Sequence, residues 1–166
     1  IYPKLRSIAR RGKNQNLNMK RIPFIFLLLM LCETLLSQKI SYIVSFPNIV
    51  HHEANISLTV SGLTQRSAIF RMSRSSPGRF ATHEFGKNVY DVQAYDKSGK
   101  PVTIRKIDGD VYEVPRHDGF VRINYTLYAN HPDGTYAGID RESIHLNAPA
   151  TFLWLKGAEK APMDVK

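Results

Sequence analysis

The stretch HHEANISLTVSG, residues 51–62, decides how this sequence is read. Ala54, Ile56, Leu58 and Val60 recur at every second position, with Glu53, Asn55, Ser57 and Thr59 between them. A period of two puts alternate side chains on opposite faces of an extended chain, so the four apolar residues share one face. A helix would need apolar residues three and four apart. The stretch therefore reads as a half-buried strand that ends at Gly62.

The same stretch carries a false lead. From His52 it runs His-Glu-x-x-Ile. The zinc motif His-Glu-x-x-His needs two imidazoles on one helical face, with the glutamate as general base. Ile56 stands where the second imidazole belongs, and a strand points His51 and His52 to opposite faces, where they cannot share an ion. His83, His117, His131 and His145 show no chelating spacing. No Gly-x-Ser-x-Gly elbow and no phosphate-cradling glycine loop is present. The residues thus nominate no catalytic side chain and no metal ligand.

Outward from this strand the period of two persists. ISYIVSF (40–46), SAIFRM (67–72), NVYDVQAYD (88–96), VTIRKI (102–107), DVYEV (110–114), GFVRINYTLYAN (119–130), SIHLN (143–147) and TFLWL (151–155) all read as strands. In the longest, Val121, Ile123, Tyr125 and Leu127 form one face. KSGKP (97–101) and Asp108-Gly109 are turn signals, and HPDGTYAG (131–138) is a loop. No stretch has convincing helical amphipathicity. The expected fold is all-β, an antiparallel β-sandwich or a curved, saddle-like double sheet. The tail KGAEKAPMDVK (156–166) shows no strand pattern and reads as a linker over 158–166.

The first methionine is Met19. From it the chain reads MKRIPFIFLLLMLCETLLSQ, a cationic start, an apolar run over 22–32 and small Ser37 before Gln38. That is the layout of a secretory signal peptide, 19–37, and the run is too short for a spanning helix, which needs roughly 20 residues. Residues 1–18 then read as upstream, non-native leader sequence. Of the 23 basic and 14 acidic residues that give +9, residues 1–37 hold seven bases and one acid, leaving 16 and 13 in the remainder. The excess of +3 there speaks against a nucleic-acid partner. The single cysteine, Cys32, lies in the signal, so the mature chain is expected to have no disulfide and no thiol nucleophile. The expected location is periplasmic or secreted, with membrane contact only through the signal segment during export.

The segment SRSSPGRF, 73–80, is the most informative for function. Pro77 fixes one dihedral and Gly78 permits a positive one, so Arg79 and Phe80 are aimed by a stiff corner. The plain reading is a tight loop between strands. The functional reading is a cation and an aromatic ring presented at a sheet rim to a carboxylate or a peptide.

Taken in order, FRMSRSSPGRF (70–80), HEFGKNVYDVQAYDKSGKPV (83–102) and IRKIDGDVYEVPRHDGFVRINYTLYA (104–129) resemble the N-terminal domain of the glycyl-aminopeptidase family of zinc metallopeptidases. Met72, Pro77, Gly78 and Phe80 match its first element, and Asp96, Gly99 and Lys100 its second. Lys106, Asp108 and Tyr112 match the third, and Val121, Ile123, Tyr125, Leu127, Tyr128 and Ala129 suit the last. Ser73 and Ser75 depart from the family's proline and tryptophan. The resemblance covers 40–157 and makes 38–157 a β-rich N-terminal domain. It implies a parent with a thermolysin-like catalytic domain and a PDZ domain downstream, both partners of this one. It implies no catalytic residue, no metal ligand and no cofactor in this chain, with zinc in the missing catalytic domain. Arg79, Phe80 and Tyr136 become candidates for a wall touching peptide substrate. The alternative is a stand-alone exported β-sandwich that binds a glycan or protein, with Tyr128, Tyr136 and Trp154 as contacts, although Trp154 suits a core better.

Overall fold

The computed structural model describes residues 38–166 apart from Arg79 and Pro132. The expectations for residues 1–37, a leader and a signal peptide, lie outside the described residues, as does the expectation for Arg79. Gln38–Lys166 is one compact unit. Its strands are β1 (Lys39–Ser45), β2 (Glu53–Ser61), β3 (Ala68–Arg71), β4 (Val89–Tyr95), β5 (Pro101–Val102), β6 (Arg105–Asp108), β7 (Val111–Val114), β8 (Phe120–Tyr128), β9 (Gly138–Ile139), β10 (Ile144–His145), β11 (Trp154–Leu155) and β12 (Met163–Val165). A single helical turn, α1 (Ala148–Thr151), precedes β11. A six-stranded sheet has the order β12-β1-β2-β8-β4-β5, a four-stranded sheet the order β11-β3-β7-β6, and β9 pairs with β10. The all-β expectation holds.

The alternation that opened the reading is what builds the core. β2 pairs antiparallel with β8 so that Ile56 faces Tyr125, Leu58 faces Ile123 and Val60 faces Val121. Every one of these is buried, because matching periods in register place both apolar sets on one side of the sheet. Ala68 and Phe70 of β3, Tyr112 and Val114 of β7 and Leu155 of β11 belong to the same contiguous core. Two tyrosines then tie the segment before β11 to the six-stranded sheet. Tyr42 donates its hydroxyl to the Leu153 carbonyl at 2.8 Å. Tyr125 donates to the Thr151 carbonyl at 2.9 Å and accepts from the Leu153 N–H at 3.2 Å. Burial pushes the Tyr42 phenol up to about 12 and raises that of Tyr125 as well.

Four local expectations are corrected. His51 and His52 are not on a strand: His51 ends a 3-10 turn (Ile49–His51), and His52 is its left-handed cap at φ 61°. The strand begins one residue later, at Glu53. The segment 102–107 is not one strand. β5 extends the six-stranded sheet along β4, while β6 joins β7 in the other sheet. Pro101 lacks an N–H and is confined to a sheet edge, where β5 stands. TFLWL shortens to β11, because α1 takes Thr151. Finally, the tail forms β12, which pairs parallel with β1 at the other edge of the six-stranded sheet. No helix among the described residues is long and apolar enough to cross a membrane.

Candidate functional site

The Pro77-Gly78 corner sits on a loop that is closed and braced from below. The His83 N–H donates to the Arg74 carbonyl at 2.7 Å, so the loop leaves and returns at one point. Gly78 has φ 77°, the left-handed conformation the sequence anticipates after Pro77. Arg74 anchors the outgoing limb. Its Nε donates to Asp110 Oδ1 at 2.8 Å and its Nη2 to Asp108 Oδ2 at 2.6 Å. Arg71 adds a longer contact to Asp110 Oδ2 at 3.4 Å. The hydrogen bond that Arg74 donates to Asp110, then the one it donates to Asp108, raise its guanidinium further above the ordinary value. The Gly109 N–H, followed by Arg74, holds the Asp108 carboxyl below the usual carboxylate range.

Gly86 lets the backbone close over this cluster. A Cβ there would lie 2.7 Å from Asp110 Cα, so only glycine fits. Beside the cluster, Arg74, Glu84, Lys87, Lys106 and Asp108 line a cleft of about 410 Å³.

A second loop packs against the returning limb. Tyr136 packs edge-on against Phe85 at 5.0 Å, His83 at 5.5 Å and His131 at 5.1 Å between ring centroids. His83 also stacks on Phe85 at 5.0 Å. Asn147 donates to the buried Ser76 hydroxyl at 3.1 Å and to the Thr135 carbonyl. The 131–138 loop is pinned by Asp133 Oδ1, which accepts from the N–H groups of Thr135 and Tyr136.

Of the substrate-wall candidates, Phe80 is fully exposed and makes no ring contact among the described residues. Tyr136 is half-buried in the aromatic cluster that braces the loop carrying Phe80. The structure thus joins the loops of both residues through His83, Ser76 and Asn147. Sequence reasoning missed Arg74, Asp110, His83 and Asn147. Arg74 meets Asp110 across 36 residues, His83 meets Tyr136 across 53 and Asn147 meets Ser76 across 71, so no local spacing signals them; Asp108 within the Asp-Gly hairpin was the nearest hint.

The described residues do not fit a zinc centre. His52 Nδ1 lies 2.5 Å from the Ile139 carbonyl, and His83 is stacked on Phe85. No three metal-ligating side chains among the described residues converge. The loop presents an exposed ring beside the Pro77-Gly78 corner, and a buried carboxylate with two arginines anchors its outgoing limb.

Residues 41–166 match the model of the peptidase M61 N-terminal domain. The chain belongs to that family. The M61 N-terminal domain is also similar in fold to the crystal structure of an aminopeptidase N family protein from Idiomarina loihiensis, with a TM-score of 0.72 and 21% identity. That similarity covers 76% of this chain but only 21% of the solved one, so the chain spans about a fifth of that protein's length. No curated relative matches. This M61 N-terminal domain is a β-rich body with Phe80 exposed beside the Pro77-Gly78 corner.

Proposed function

We propose that this chain is the non-catalytic N-terminal β domain of an exported zinc aminopeptidase of the glycyl-aminopeptidase type. It packs beside a thermolysin-like catalytic domain supplied downstream, with a PDZ domain beyond, and shapes the active-site cleft. The observation that carries the reading is the match of residues 41–166 to a peptidase N-terminal domain, on a fold shared with one part of a much longer aminopeptidase-family protein. The braced loop supports the cleft-shaping role. Phe80 is held out on a closed, ion-paired corner, which limits the conformational entropy lost when a neighbouring domain or peptide meets it. Zinc belongs to the catalytic domain in this reading.

The coding frame beyond Lys166 tests the proposal. A frame that continues into a segment with His-Glu-x-x-His supports it. A stop codon with no catalytic frame beyond it contradicts it.

A further inference from the structure

Arg66, Arg105 and Arg116 line one cleft of about 690 Å³ together with Glu113. The register explains why they meet. Ala68 of β3 pairs with Val114 of β7, so Arg66 and Arg116, each two residues further out, flank the same end of that pair. Arg105 enters from the other side, because it pairs with Glu113 on β7. The chain passes from β5 in one sheet to β6 in the other at this point, which opens the cleft between the sheet edges.

None of the three arginines makes an ion pair or a side-chain hydrogen bond among the described residues. Arg71 and Arg74, by contrast, are both spent on Asp110. Like charges gathered at one end of paired strands repel, and the cleft supplies only Glu113 against three guanidinium groups. Of the net +3 in residues 38–166, this cleft holds a local excess of +2. A guanidinium fork matches an oxyanion with two parallel hydrogen bonds, and a volume of this size suits a small molecule.

We infer that the cleft of Arg66, Arg105 and Arg116 is a binding site for a small ligand carrying two or more neighbouring oxyanion groups, carboxylate or phosphate. This goes beyond the peptidase reading and does not depend on it. The site lies on residues that the loop of Phe80 does not use.

Calorimetric titration of the full chain at low salt tests the inference, with inorganic pyrophosphate for the phosphate source and citrate for the carboxylate source. One of the two binds saturably at one site. Arg66→Gln, Arg105→Gln and Arg116→Gln each weaken it about tenfold, the scale of one charged hydrogen bond. Arg105→Lys, which keeps the charge but loses the fork, also weakens it, and Glu113→Gln tightens it. Lys160→Gln removes an equal charge elsewhere and leaves it unchanged. All of these positions except Glu113 are exposed, and thermal unfolding of each variant verifies the fold. Absence of saturable binding to both probes overturns the inference. So does an equal loss in Lys160→Gln, which would reduce the effect to net charge, or an unchanged affinity in Glu113→Gln.

Discussion

Arg74 Nε donates to Asp110 Oδ1 at 2.8 Å, and the Asp110 side chain is only 4% exposed. A buried carboxylate left without its cation is costly, so this pair fixes the start of the loop that carries Phe80. Arg74→Ala, which leaves that carboxylate only the longer Arg71 contact, is expected to lower the thermal midpoint and to release the loop. Limited proteolysis should then cut first within residues 73–80, faster than in the parent sequence. Cleavage that begins elsewhere, at an unchanged rate, would show the loop to be held by something else.

Gly86 faces the backbone of Asp110 with no room for a methyl group. Gly86→Ala must shift one backbone against the other and is expected to cost about 1–3 kcal/mol, as overpacking does. Denaturant unfolding measures this, and a loss near zero would mean that the contact relaxes freely.

Tyr125 closes a hydrogen-bonded bridge to Thr151 and Leu153 inside the core. Tyr125→Phe keeps the ring but leaves a buried carbonyl and a buried N–H without that partner. The expected cost is about 1–3 kcal/mol in urea unfolding.

Alkaline pH acts on Tyr42. Its folded value is about 12 against an ordinary 10.0, because burial disfavours the phenolate. The unfolded chain therefore loses this proton first, and the stability that the neutral phenol contributes is complete below pH 10. It falls as the pH rises from 10 to about 12. Unfolding free energies measured across that window should decline less steeply in Tyr42→Phe than in the parent sequence.

β12 covers the edge of β1 through paired backbone and the Val44 N–H to Lys166 carbonyl bond of 2.9 Å. Truncation after Pro162 uncovers a strand edge, and uncovered edges pair with other chains. The truncated chain is expected to associate with rising concentration in sedimentation experiments, whereas the full chain does not.

Much of this architecture was legible because it rests on period two. β2 and β8 could be read residue by residue, since Ala54 to Val60 and Val121 to Leu127 alternate without interruption and pair in register. β12 was hidden because the backbone of Met163–Val165 pairs with β1 while its side chains stay exposed, so no burial pattern marks it. β4 was legible only in outline. Its pairing with β8 slips between Tyr90 and Gln93, where Asp91 takes φ 51°, and a bulge leaves no signature in composition. The Pro77-Gly78 corner was readable from two residues with special backbones. Its support was not, because Arg74 meets Asp110 and Ser76 meets Asn147 only after the sheets have formed.

Under the proposed function, this domain performs no hydrolysis itself and serves an aminopeptidase joined to it. Release of the N-terminal residue from short glycyl and alanyl peptides tests that proposal most directly, measured side by side for this chain and for the longer, zinc-loaded parent proposed to contain it. The expected result is no release by this chain and turnover by the parent. Release by the chain alone, or a zinc-loaded parent that releases nothing, would contradict the account.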